Sequence, residues 1–180
     1  MPTGRIGRVS RPFRIVFVCL GNICRSPMAE LAMRRLLDQG GLADRVQVAS
    51  AGTGDYHVGE GADPRAAATL REYGYDPDRH RLAEFRATQF TADDFAGADL
   101  VLALDASNAE VLRRRAPDAE AAAKVRLLRA FDPASVAAGE VDVPDPYYGG
   151  EDGFPHVLAL VEAACQGLLE HLRTEPALAR

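Results

Sequence analysis

The chain is 180 residues long, 47% hydrophobic and 26% charged, the balance of one ordinary globular domain with enough bulk for a core and too much apolar content for disorder. A formal net charge of −5 sets nucleic acid and anionic membrane aside as default partners, and no run approaches the ~18 consecutive apolar residues of a membrane span. Three cysteines, Cys19, Cys24 and Cys165, are too few and odd in number for a secreted disulfide scaffold.

Residues 1–12 read as a flexible basic tail, with Arg5, Arg8 and Arg11, no acid and no apolar signal-peptide run behind them. A cytoplasmic monomer is therefore expected, with signal-independent export left open. The domain proper is expected over 13–173, followed by a short C-terminal tail at 174–180. Basic residues are almost all Arg, Lys124 being the single Lys, which fits codon bias in a GC-rich genome and also suits bidentate phosphate binding.

Residues 14–18 are a β-branched and aromatic run, expected as a strand buried on both faces. Residues 27–39 predict a helix, with Ser26 as its N-cap, Pro27 at its first position and Gly40-Gly41 at its end. A short strand at 46–49, a loop over 50–61 and a helix over 64–73 closed by Gly74 follow. Residues 99–105 form the clearest later strand, 107–115 a helix, 125–128 a fourth strand, 132–153 a loop rich in Asp, Pro and Gly, and 154–172 a long final helix. This alternation predicts a single-domain α/β fold: a four-stranded parallel sheet flanked by helices on both faces. Ligands of such folds bind beyond the carboxyl ends of the strands, and the first strand delivers Cys19 there.

The chemistry concentrates in residues 19–26, Cys19-Leu20-Gly21-Asn22-Ile23-Cys24-Arg25-Ser26. Cys followed six residues later by Arg is weak evidence alone; its place between a buried strand and a helix start makes it strong. Backbone N–H groups of a tight loop, together with a helix N-terminus, form an anion cradle. Arg25 offers a planar fork to two phosphate oxygens. Cys19, at the bottom of that positive field, is favoured as thiolate and so as a nucleophile toward phosphorus. Asn22 suits a left-handed loop position. Cys24 is either a packing residue or a thiol that captures oxidised Cys19 as a reversible disulfide. A phosphatase of this kind needs an acid for the leaving oxygen, and Asp145, in Val143-Pro144-Asp145-Pro146-Tyr147-Tyr148, is the candidate, with Asp142 and Asp132 as nearby rivals.

The segment from Cys19 to Pro27 resembles the active-site signature of the low-molecular-weight protein-tyrosine phosphatases, and the likeness extends over residues 14–172. It is nearest to the mycobacterial members, notably in Ser50-Ala51-Gly52-Thr53-Gly54 and Asp145-Pro146-Tyr147-Tyr148-Gly149. The resemblance implies hydrolysis of phosphotyrosine in proteins through a phosphocysteine. Asp145 would be general acid and later water activator, Tyr147 and Tyr148 one wall of the substrate groove, and Tyr56 the other. It also implies a supporting network in which Asn22 meets Ser26, Ser50 and His80, with the Ser26 hydroxyl donating to Cys19. His57, His156 and His171 find no counterpart and are assigned to surface or packing. No metal or cofactor is expected, since the Cys and His residues lack ligand spacing. Thioredoxin-coupled arsenate reductases share the fold and loop but need two further cysteines between Cys24 and Cys165, where this sequence has none. Protein-arginine phosphatases are the closer alternative; they typically carry Thr where this chain has Ile23, whose apolar side chain suits an aromatic ester better.

Overall fold

Residues 13–19 are mostly apolar because both faces of their strand are covered. In the computed structural model, which describes residues 11–75, 82–150 and 152–178, that strand is β1 (Phe13–Cys19), and it lies inside the sheet. The others among the described residues are β2 (Val46–Gly52), β3 (Leu100–Ala103) and β4 (Val125–Leu127), all parallel, in the order β2-β1-β3-β4. The helices are α1 (Arg25–Gly40), α2 (Pro64–Glu72), α3 (Ala106–Arg115), α4 (Ala119–Ala123), α5 (Pro133–Ala138) and α6 (Gly153–Arg173).

Side chains alternate across a strand, so β1 feeds two cores. Ile15, Phe17 and Cys19 join one with Leu100 and Leu102, which α1, α2 and α6 close through Met28, Leu31, Leu70, Val161 and Leu168. Val16 and Val18 join the other with Val101 and Ala103, closed by Ala109 and Leu112 of α3, Ala121 of α4 and Phe95 of the 3₁₀ segment Ala92–Gly97. Each large side chain buried this way contributes about 1.5–3 kcal/mol. The four-stranded parallel sheet with helices on both faces is thus as the alternation predicts.

Several local expectations need correction. The second strand runs on past Ala49, because register with β1 continues to the pair Cys19 and Gly52. A Cβ at Gly52 would stand 2.8 Å from the Leu20 carbonyl oxygen, so glycine there lets the following loop fold down over the strand end. α1 begins at Arg25, with Cys24 at the N-cap and no side-chain cap bond; Ser26 lies inside the first turn and its hydroxyl is used elsewhere. Asp99 and Asp105 flank β3 rather than belonging to it. Asp99 accepts from the Arg14 amide at 2.8 Å and from both ends of the Arg11 fork at 2.7 and 2.8 Å, and Asp105 caps α3 by accepting from the Asn108 amide at 2.7 Å. The expected loop over 132–153 contains α5, which Asp132 caps, and Leu178, in the expected C-terminal tail, is buried against the first core.

From β1 the chain crosses to β2 on one side, then returns past β1 to β3 on the other. The carboxyl ends of β1 and β3 therefore open into a crevice, the usual ligand position in such sheets.

Candidate active site

At the end of β1 the chain turns through residues 19–24 into α1. Asn22 makes the turn possible. It is the one non-glycine residue with positive φ (58°) among the described residues, and its fully buried side chain is bonded at both ends. Nδ2 donates to Ser26 Oγ at 2.9 Å and to Ser50 Oγ at 3.0 Å, while Oδ1 accepts from the Thr88 amide at 2.9 Å. Ser50 in turn donates to Glu30 Oε2 at 2.6 Å. The Ser26 hydroxyl, having accepted from Asn22, holds its own proton for Cys19 Sγ at 3.0 Å or the Ala51 carbonyl at 3.3 Å. The Asn22 amide also donates to Cys19 Sγ, at 3.3 Å. The sulfur is thus fixed at the foot of the loop by the Asn22 amide and the Ser26 hydroxyl.

Replacing Asn22 by Ala is expected to lower the unfolding free energy by about 2–4 kcal/mol, from left-handed strain and the lost hydrogen bonds. Asn22→Gly removes the strain part and should fall between Ala and wild type. Urea unfolding of the three proteins checks this, and an Ala variant as stable as wild type would contradict it.

Arg25 is 3% exposed and held from three sides. Nη1 donates to Asp105 Oδ2 at 2.6 Å and to the Val143 carbonyl at 3.0 Å, and Nη2 meets Asp145 Oδ2 at 3.3 Å. Burial works against its charge, but Cys19, Asp105 and Asp145 outweigh that and raise its pKa above the ordinary value, so the guanidinium remains charged in the cavity. Burial, and then the Asp63 carboxylate, push the Cys24 thiol up to about 12, so Cys24 stays protonated beside the loop.

These groups face a cavity of about 390 Å³ lined by Cys19, Leu20, Gly21, Ile23, Cys24, Arg25, Tyr56, His57, Asp145, Tyr147 and Tyr148. Most residues named from the sequence therefore meet there, while Asn22, Ser26 and Ser50 stand behind the loop as its support. His80 lies outside the described residues. The rivals to Asp145 are occupied otherwise: Asp142 accepts from the Ala106 amide at 2.8 Å, and Asp132 accepts from the amides of Ala134 and Ser135.

Two residues were not anticipated. His57, expected at the surface or in packing, lines the cavity, with Nδ1 2.8 Å from Glu60 Oε2 and its ring 6.2 Å from that of Tyr147. Its place beside Tyr56 was the available signal. Asp105, which fixes Arg25, is legible in the sequence only as the last residue of the expected strand over 99–105, at the edge where ligands bind.

Comparison with known proteins agrees with this geometry. Residues 14–178 match the family model described as low molecular weight phosphotyrosine protein phosphatase. A low molecular weight protein-tyrosine-phosphatase of Streptomyces coelicolor is 53% identical over 163 residues, 91% of this chain and 95% of that protein. Low molecular weight protein-tyrosine phosphatase A of Mycobacterium tuberculosis is 47% identical over 160 residues, 89% of this chain and 91% of the other. Among solved structures, YfkJ from Bacillus subtilis superposes with a TM-score of 0.83 at 34% identity, covering 94% of this chain and 99% of that one. The agreement runs nearly end to end, and the chain belongs to the low molecular weight phosphotyrosine protein phosphatase family.

Proposed function

We propose that this protein hydrolyses phosphotyrosine in other proteins through a phosphocysteine formed on Cys19. The observation that carries the reading is the convergence of Cys19, Arg25 and Asp145 on one cavity, with Arg25 Nη2 3.3 Å from Asp145. The phosphotyrosine ring enters between Tyr56 and the Tyr147–Tyr148 pair, whose own rings stand 4.8 Å apart edge to face, and meets the apolar side chain of Ile23. The Cys19 sulfur attacks phosphorus in line with the ester oxygen. As the P–O bond breaks, Asp145 gives its proton to the departing phenolic oxygen. Loop amides and the Arg25 fork hold the phosphoryl oxygens throughout, and Asp105 and the Val143 carbonyl keep that fork in one plane. Asp145, now a carboxylate, takes a proton from water as it attacks the phosphocysteine, releasing phosphate and the Cys19 thiolate. The steps use only these side chains and water.

The expected substrates are phosphotyrosine-bearing proteins of the cytoplasm, met by a monomer. No helix among the described residues is long and apolar enough to cross a membrane.

The direct test is acid quenching during turnover of a ³²P-labelled phosphotyrosine peptide in the presence of chelator, with a phosphoarginine peptide run in parallel. Label trapped on Cys19, and turnover of the tyrosine ester above that of phosphoarginine, are expected. Turnover that leaves no label on Cys19 sinks the mechanism, whereas preference for phosphoarginine keeps the mechanism and overturns the substrate.

A further inference from the structure

Arg65 is absent from the cavity lining, yet it joins the two segments that form it. Its guanidinium forks onto Asp63, Nη2 to Oδ2 at 2.8 Å and Nε to Oδ1 at 3.0 Å, and Nη1 donates to the Tyr147 carbonyl at 3.1 Å. Asp63 is in turn tied to the phosphate-binding loop. Its amide donates to the Ile23 carbonyl at 2.8 Å, and Oδ1 caps α2 through the Arg65 amide at 2.8 Å. On the other side, the Tyr147 amide donates to Asp145 Oδ1 at 3.1 Å. A continuous chain of polar contacts thus runs from Ile23 through Asp63, Arg65 and Tyr147 to Asp145.

An ordinary ion pair at a cavity rim is worth little and constrains less. This one differs in three ways. Asp63 is 7% exposed, the contact is bidentate, and the third corner of the guanidinium is spent on a backbone carbonyl two residues from the acid. The same guanidinium lies 4.8 Å from the Phe154 ring centroid and 5.4 Å from that of Tyr147, so it is packed between the end of the acid-bearing loop and the start of α6.

The geometry points to Arg65 as a positioning residue for Asp145. With its carbonyl held by the half-exposed Arg65 guanidinium, Tyr147 is restrained from turning away and its amide is kept near the Asp145 carboxylate; the acid thus keeps its place relative to the phosphate-binding loop through a link anchored on that loop. This inference rests on Asp145 as general acid. It adds that the acid's placement is set from α2, a helix that contributes no residue to the cavity lining.

The test reads proton donation separately from stability. kcat/KM is measured for a series of aryl phosphates of rising leaving-group pKa, on wild type, Arg65→Met, Arg65→Lys and Asp145→Asn, with melting temperatures alongside. Asp145→Asn should steepen the dependence on leaving group. Arg65→Met should steepen it in the same direction, losing about tenfold on phenyl phosphate, within the ~10²-fold that a misplacement of 1 Å can cost, and under about twofold on a dinitrophenyl ester that leaves without help. Arg65→Lys keeps the charge without the fork and should lie between; it carries the same comparison if the Met variant folds poorly. A uniform loss across all esters, or a lowered melting temperature with an unchanged slope, overturns the role of Arg65. A flat response in Asp145→Asn overturns the general-acid reading itself, and this inference with it.

Discussion

Replacing Cys19 by Ser is expected to lower kcat/KM on a phosphotyrosine peptide by about 10⁴-fold or more, as removal of the attacking group does in other covalent enzymes, with little change in the melting temperature. The exchange is nearly isosteric, and the contacts around the sulfur tolerate it. Ser26 Oγ at 3.0 Å and the Asn22 amide at 3.3 Å would meet an oxygen as readily as a sulfur. What is lost is the nucleophile, because a serine hydroxyl attacks phosphorus far less readily than a cysteine sulfur does. Arg25 and the loop amides remain, so the variant should still bind substrate and serve as a trap for phosphotyrosine proteins. Steady-state kinetics with calorimetric binding of the same peptide checks both halves. Activity within about a hundredfold of wild type would mean that another group attacks phosphorus.

Asp145→Asn should cost about 10²–10³-fold in kcat/KM on phosphotyrosine, inside the range general acid catalysis contributes. One of its two contacts survives the change: the Asn carbonyl oxygen can still accept from the Tyr147 amide or from Arg25 Nη2, which stand 3.1 and 3.3 Å from the two Asp145 oxygens, while the amide nitrogen leaves the other donor unpaired. The transferable proton is missing, so the deficit falls mainly on substrates whose leaving oxygen needs it. Comparing a phosphotyrosine peptide with p-nitrophenyl phosphate, whose phenolate departs more easily, should show the larger loss on the peptide. Equal losses would place Asp145 in binding rather than in proton transfer.

What was legible in the sequence is what is local. The run before Cys19, the glycine and Asn22 inside the loop, and the apolar spacing after Pro27 each act within a few residues, and all keep their expected places. Ser26 shows where local rules mislead. A hydroxyl ahead of a helical pattern is ordinarily an N-cap, but here the helix starts earlier and the hydroxyl is drawn to a sulfur and an amide that only the folded loop supplies. Composition alone ends β2 early, because Ser50 and Gly52 are poor strand residues; pairing with β1 overrides that preference. Asp132 followed by Pro133 was a helix-start signal, obscured by the loop-like composition around it. Asp105 was illegible for a different reason. It joins Arg25 only because a parallel sheet sets the carboxyl ends of β1 and β3 side by side, and no periodicity within either segment encodes that adjacency.

Arg25 finds its partners 80, 118 and 120 residues further along the chain. On the ribosome, the cysteine loop and α1 are therefore made well before anything that can neutralise that guanidinium. An unpaired charge resists burial, so the first turn of α1 stays in water until Asp105 arrives, and the pocket takes its shape only when the segment through Val143 and Asp145 has emerged. Assembly of the pocket is thus a late event of synthesis, and a half-made chain that already carries Cys19 still lacks Asp105, Val143 and Asp145, the groups that hold Arg25 in place beside it.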